Sequence, residues 1–198
     1  MAKSIVETLK QLLVQEGLEP NERVAMNWLR GTIEEMYGDK PIQPSRMIRN
    51  QTEAFRKFAG KMYMFRYIPK AKDTLPYYDE FPLVFILKPS RTGFLGMNMH
   101  YLPPKWRMIF LSRMDALRNN DKLDDTTRLR INYELIRDTS RLNIGLPIIK
   151  RYNNTHIRSK VVLIPADEWS IASLLPTEKF MKSSRATVWQ DTRDKGLQ

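Results

Sequence analysis

Residues 62–102 read MYMFRYIPKAKDTLPYYDEFPLVFILKPSRTGFLGMNMHYL, and their patterning decides the class of fold. Met62 and Met64 alternate with Tyr63, Phe65 and Tyr67, so both faces of this first strand are apolar or aromatic, and Pro69 closes it. Residues 70–81 are polar and contain Leu75-Pro76, which predicts a loop able to bring Tyr77 and Tyr78 to the surface. A continuous apolar run at 83–87 predicts a strand buried on both faces. The turn at 89–93 joins it to a strand at 94–99, where Gly96 marks a bulge or a close backbone approach.

Working outward, Ser4 and Glu7 form a capping box before Ile5, Leu9, Leu12 and Leu13, which fall on one helical face ended by Gly17. A second helix from Pro20-Asn21 carries Ala25, Leu29, Ile33 and Met36 on one face and stops at 38–41. Helices this short cannot bury their stripes alone, so they dock on the body or on another chain. A basic helix is expected next, capped by Ser45 and stopped by Gly60, with Arg46, Arg49, Arg56 and Lys57 around Ile48, Phe55 and Phe58. Pro104 suits the first position of a helix over 105–117 with Trp106, Ile109, Phe110, Met114 and Leu117 at helical spacing. Asp124-Asp125-Thr126 can cap another helix carrying Leu129, Tyr133 and Ile136. KRYNNTHIRSK at 150–160 lacks either period, 161–164 is a last strand, and a short helix follows through Trp169, Ile171 and Leu175.

Few strands, one hairpin and helices inserted before the last strand make the fold class α+β. The expected architecture is a small antiparallel β-sheet or an SH3-like barrel with several inserted and flanking helices. Two parts are expected: an acidic two-helix N-terminal extension at 1–40 and a basic α+β domain at 41–198.

Charge supports that division. The chain of 198 residues carries +11 overall, with 5 Lys/Arg against 7 Asp/Glu in residues 1–40 and 28 against 15 in the rest, a net −2 and +13. A basic body implies a polyanionic partner, such as nucleic acid, or an acidic protein surface. Cysteine is absent, which removes disulfides and thiolate metal sites, and no apolar stretch approaches membrane-spanning length. A protein without an export signal or membrane partner, made in a cytoplasm, is expected.

Catalytic patterns find little foothold. His100 and His156 are some fifty residues apart and lie in no metal-ligand motif. His100, before Tyr-Leu-Pro-Pro, is expected to be a structural hydrogen-bonding residue. Adjacent acids at Asp167-Glu168 come closest to a metal-nuclease pair with His156, but their place before a helix favours capping. No phosphate-loop, dinucleotide or nucleophile-elbow motif occurs. The expectation is a protein that is not an enzyme, without catalytic residues, metal or cofactor.

What remains is cations interleaved with aromatics. Lys70, Lys72, Tyr77 and Tyr78, then Lys150, Arg151, Tyr152, Arg158 and Lys160, are the candidate DNA-binding residues. Cations hold phosphates, and tyrosines stack on bases exposed at frayed ends.

The strings KMYMFRYIPKAKDTLPYYDEFPLVFIL, GFLGMNMHYLPPKWR, IRSKVVLIPADEWSIASLLPTEKF and ATVWQDTRDKG resemble structural proteins of contractile-tailed phages of the T-even type, in particular the DNA end protector proteins. The resemblance covers roughly 45–195 and leaves 1–40 outside. It implies a late virion protein, present in few copies, at the packaged DNA end near the neck and tail axis, which would coat the duplex terminus and block host exonuclease. It carries no catalytic residues. Its expected partners are other virion proteins of the neck, tail or baseplate in a hetero-oligomeric assembly, with the acidic leader as a docking element. The alternative is a baseplate or tail assembly protein that makes only protein–protein contacts.

Overall fold

The two-faced apolar strands at the centre of the sequence become the middle of an open antiparallel sheet. In the computed structural model, which describes residues 4–20, 22–38, 40–49, 53–54, 56–118 and 147–196, the sheet is built from β1 (Met62–Met64), β3 (Leu83–Ser90), β4 (Gly93–Asn98), β5 (Ile149–Asn153) and β6 (Val162–Ile164). Their order is β5-β4-β3-β1-β6, and every pairing is antiparallel. A separate two-stranded ribbon joins β2 (Tyr78–Asp79) to β7 (Phe180–Met181).

The α+β class and the antiparallel sheet are as expected. Of the two forms expected, the open sheet is found. It is not closed into an SH3-like barrel, because β5 and β6 remain at opposite edges.

Alternation along β1 splits the core in two. Met62 and Met64 join Leu83, Phe85 and Met97 on the face covered by helices, where Phe85 meets Phe110 at 5.5 Å and Trp169 at 4.7 Å between ring centroids. Tyr63 points the other way, into a smaller cluster with Phe65, Tyr67, Val84, Ile86, Phe94 and Tyr152. There the Phe65 ring stands edge-on to Tyr152 at 5.3 Å, and Phe94 stacks on Tyr152 at 5.3 Å. A register shift between Ile86 and Lys88 turns the hairpin end outward. Gly96 is needed because an added Cβ would lie 2.2 Å from Val84 Cγ1, and at Gly93 it would lie 1.9 Å from the Tyr152 carbonyl oxygen.

The helices α1 (Ile5–Gln15) and α2 (Arg23–Tyr37) dock on the body. The Ser4–Glu7 capping box is formed. Leu9, Leu13, Ala25, Met26, Leu29 and Ile33 belong to the same apolar cluster as Met62 and Phe85, so α1 and α2 share the core of the sheet. Met36, expected on the buried face of α2, is 46% exposed, and Met26 takes its place.

The basic helix is shorter than expected. It runs as α3 (Pro44–Arg49), and Glu53 instead bridges Val162 on the edge of β6. In α4 (Pro104–Arg118) the buried face is Arg107, Met108, Phe110, Leu111 and Met114, while Trp106 and Ile109 are 40% and 36% exposed. The helix expected after Asp124 lies outside the described residues. Three elements went unread in the sequence: the β2–β7 ribbon, β5 within KRYN, and α6 (Arg185–Gly196), which follows α5 (Trp169–Leu174). Among the described residues, no helix is long and apolar enough to cross a membrane.

Candidate nucleic-acid interface

Five of the nine candidate residues meet at one cleft of about 230 Å³. Tyr77 and Tyr78 come from the segment entering β2, and Lys150, Arg151 and Tyr152 from β5. Tyr67, Tyr101, Asp79 and Asn98 complete its floor and walls, and Pro69 and Leu75 form its lip. Lys70 and Lys72 are exposed on the turn between those two lip residues. Arg158 and Lys160 stand outside the cleft: the Arg158 amide donates to the Arg66 carbonyl at 2.8 Å, and Lys160 is half-buried.

Each wall is fixed by identifiable contacts. The Lys182 ammonium donates to the carbonyls of Asp73 (2.9 Å) and Leu75 (3.2 Å), which fastens the turn bearing Lys70 and Lys72. Lys182 itself holds φ 67, a left-handed conformation that costs a non-glycine residue roughly 1 kcal/mol. The Tyr77 hydroxyl donates to Asp191 on α6, and its pKa is raised by burial and then by that carboxylate. Glu80, next to the ribbon, accepts from Arg66 at 2.7 Å and Lys179 at 2.8 Å. Burial alone would raise the Glu80 pKa, but the two cations outweigh it and hold it low.

The cleft floor is an enclosed polar array. Asp79 Oδ2 accepts from Asn98 Nδ2 at 3.0 Å and lies 2.8 Å from His100 Nδ1, while His100 Nε2 is 3.2 Å from Thr177 Oγ1. Asp79 Oδ1 accepts from the Phe81 amide at 3.0 Å. His100 and Thr177 are fully buried, so the array ties β2, the end of β4 and the segment after α5 together. This is the structural role expected of His100. Beneath it Arg107, also fully buried, pairs with Glu178 and donates to the carbonyls of Leu102 and Ser173, both at 2.7 Å.

The cations and tyrosines of the cleft differ in what they offer. Arg151 is exposed on the edge strand. Lys150 Nζ sits 4.4 Å over the Tyr101 ring, and its pKa is lowered, first by burial and then by Lys195. Tyr152 is 4% exposed and spends its ring in the aromatic cluster, so it offers no face for a base. Strand alternation explains this: Arg151 faces out where Tyr152 faces in.

The acids singled out in the sequence do other work. Asp167 and Glu168 bind Lys10 of α1 at 2.7 and 3.2 Å, a clasp between helices, and Glu168, at the N-cap of α5, makes no side-chain cap. His156 lies in a half-buried turn, its ring 6.3 Å from that of Tyr67. Among the described residues, no group of three or more His, Asp or Glu side chains could hold a metal ion.

The sequence missed Tyr67, Asp79, Asn98 and Tyr101 at the cleft and Lys182 behind it. The buried polar residues around Asp79 follow no helical or strand period, and the one available signal was their insertion into otherwise apolar stretches.

No curated protein and no solved structure matches the chain. A family model described as the phage T4 terminal DNA protecting protein matches residues 1–192, which takes in the acidic leader that the resemblance had left outside. A match over nearly the whole length is decisive, and the chain belongs to the family of phage T4 terminal DNA protecting proteins.

Proposed function

We propose that this protein binds the ends of packaged duplex DNA in the virion and shields them, acting by occupancy rather than by catalysis. The observation that carries the reading is the meeting of Lys150 and Arg151 with Tyr77 and Tyr78 at one aromatic-walled cleft, with Lys70 and Lys72 exposed on the turn between its lining residues Pro69 and Leu75. Family membership supports it, because the family is named for protecting terminal DNA. Phosphates of the last base pairs would lie against the rim cations, whose attraction is long-ranged and screened by salt. Placement near the neck and tail axis follows from the same reading, since that is where a packaged terminus meets the portal.

A second surface suits a protein neighbour. Val14 on α1, and Val24 and Met36 on α2, are 77%, 64% and 46% exposed on the acidic part of the chain, which would repel DNA. Contact with another virion protein through these helices is compatible with DNA contact at the cleft.

The reading is tested by competition. A labelled blunt duplex bound to the full chain is challenged with unlabelled linear duplex or with covalently closed circles of equal mass. Linear competitor is expected to displace the label at least tenfold more effectively per mass. Equal displacement by the two would contradict end binding.

A further inference from the structure

The cleft is small, recessed and lined on one side by a cation with an unfilled valence for anions. Its volume of about 230 Å³ falls below the roughly 300–1,000 Å³ of ordinary small-molecule sites, so it admits a single phosphate or base and not a duplex. Among the described residues, no carboxylate is within ion-pair distance of Lys150 Nζ, which rests on the Tyr101 ring instead. Asp191 is close enough to act on Lys150 by charge, but the hydrogen bonds of both nearby acids go elsewhere. Asp79 is bonded to Asn98, His100 and the Phe81 amide, and Asp191 to Tyr77 and Lys195, the latter at 2.7 Å.

A phosphodiester inside a duplex is flanked by sugars on both sides and lies on a convex surface, so it cannot descend to a recessed ammonium. A phosphate monoester at a chain terminus has one free side and an additional negative charge. Access therefore separates ends from interior sequence without any reading of bases.

We infer that the cleft is a receptor for a terminal phosphate monoester of DNA, held by Lys150 at its base and Arg151 at its rim, between the Tyr77 and Tyr78 walls. The inference rests on the proposal that the protein binds DNA ends, and it adds what distinguishes an end chemically. Partial burial of Lys150 strengthens its hold on an anion that can reach it, since the local dielectric is low.

The test uses the full chain and blunt duplexes of one sequence ending in a 5′-phosphate, a 3′-phosphate or hydroxyls only. The wild type is expected to prefer one phosphorylated end over the hydroxyl end by about tenfold or more, the scale of one added charge-assisted contact. Which phosphate is preferred gives the polarity. Lys150→Met, which keeps the apolar stem on Tyr101, is expected to reduce the preference to within about twofold. Should that variant fail to fold, judged by circular dichroism, Arg151→Gln reads the same contact from an exposed position and is expected to weaken the preference several-fold. Equal wild-type affinity for phosphorylated and hydroxyl ends, with ends still preferred to circles, overturns this inference and leaves the proposed function standing. Preference unchanged in Arg151→Gln and in a folded Lys150→Met also overturns it. No preference for ends over circles in the wild type removes both.

Discussion

Arg107→Met is expected to destabilise the protein by about 3–5 kcal/mol, because it leaves the carboxylate of Glu178 buried without its principal partner. Both side chains are enclosed, with side-chain exposures of 0% and 2%. Arg107 also bonds the carbonyls of Leu102, His100 and Ser173 and lies 5.6 Å from the Trp189 ring centre, so one guanidinium joins α4, α5, α6 and the end of the sheet. Those carbonyls lose a charged donor as well. For a chain of this size the melting temperature should fall by roughly 6–20 °C, as calorimetry would show. Arg185, 3.7 Å from the other Glu178 oxygen, softens the loss and places the expectation toward the lower end. The double variant Arg107→Met with Glu178→Met is expected to be more stable than the single one, since it buries no unpaired charge. A single variant within about 1 kcal/mol of wild type would show that the pair does not clasp the fold.

The same pair predicts a pH signature. Burial alone would raise the Glu178 pKa, but Arg107, then His100, hold it below its ordinary value of 4.5. A folded-state pKa lower than the unfolded one contributes stability that is complete above about pH 4.5 and is lost as pH falls through the folded value. Without Arg107, burial dominates and the sign reverses. The stability gap between wild type and Arg107→Met should therefore narrow as pH falls, first above pH 4.5 as the variant's Glu178 protonates and then below it as the wild type loses its pair.

Replacing Lys70, Lys72 and Arg151 together by glutamine is expected to lower affinity for duplex ends by about 10² at ~0.15 M salt. Each phosphate contact contributes a salt slope of about 0.9, equivalent to roughly 0.7 log units at that ionic strength, and three contacts multiply. The slope of log K against log salt should fall by roughly 2–3. All three side chains are exposed, so each substitution should change stability by no more than about 0.5 kcal/mol. A slope unchanged by the three substitutions would move the DNA to another face of the molecule.

How far the sequence reaches can be judged from particular elements. The capping box at Ser4, the two-faced β1 and the β3–β4 hairpin are local patterns, and all three were legible. The β2–β7 ribbon was not, because its two-residue strands pair Tyr78 with Met181 across a hundred residues and carry no period of their own. In α4 the helical period was read correctly but rotated, since a buried Arg107 breaks the rule that cations mark the solvent side. At the cleft, interleaved cations and aromatics identified Tyr77, Tyr78, Lys150 and Arg151 as neighbours in chemistry, and folding makes them neighbours in space. The inward turn of Tyr152 was not legible, because the inward side of an edge strand is set by register with β4, where it opposes Phe94. His100 was legible as a structural residue, but its partners Asp79 and Asn98 came into view only when the fold brought them together.

Digestion of linear duplex by a processive exonuclease, with and without the full chain bound, tests the central claim most directly. Saturating protein is expected to preserve the linear duplex, and protection should fade with rising salt in step with binding. Degradation at the same rate with and without bound protein would contradict the account.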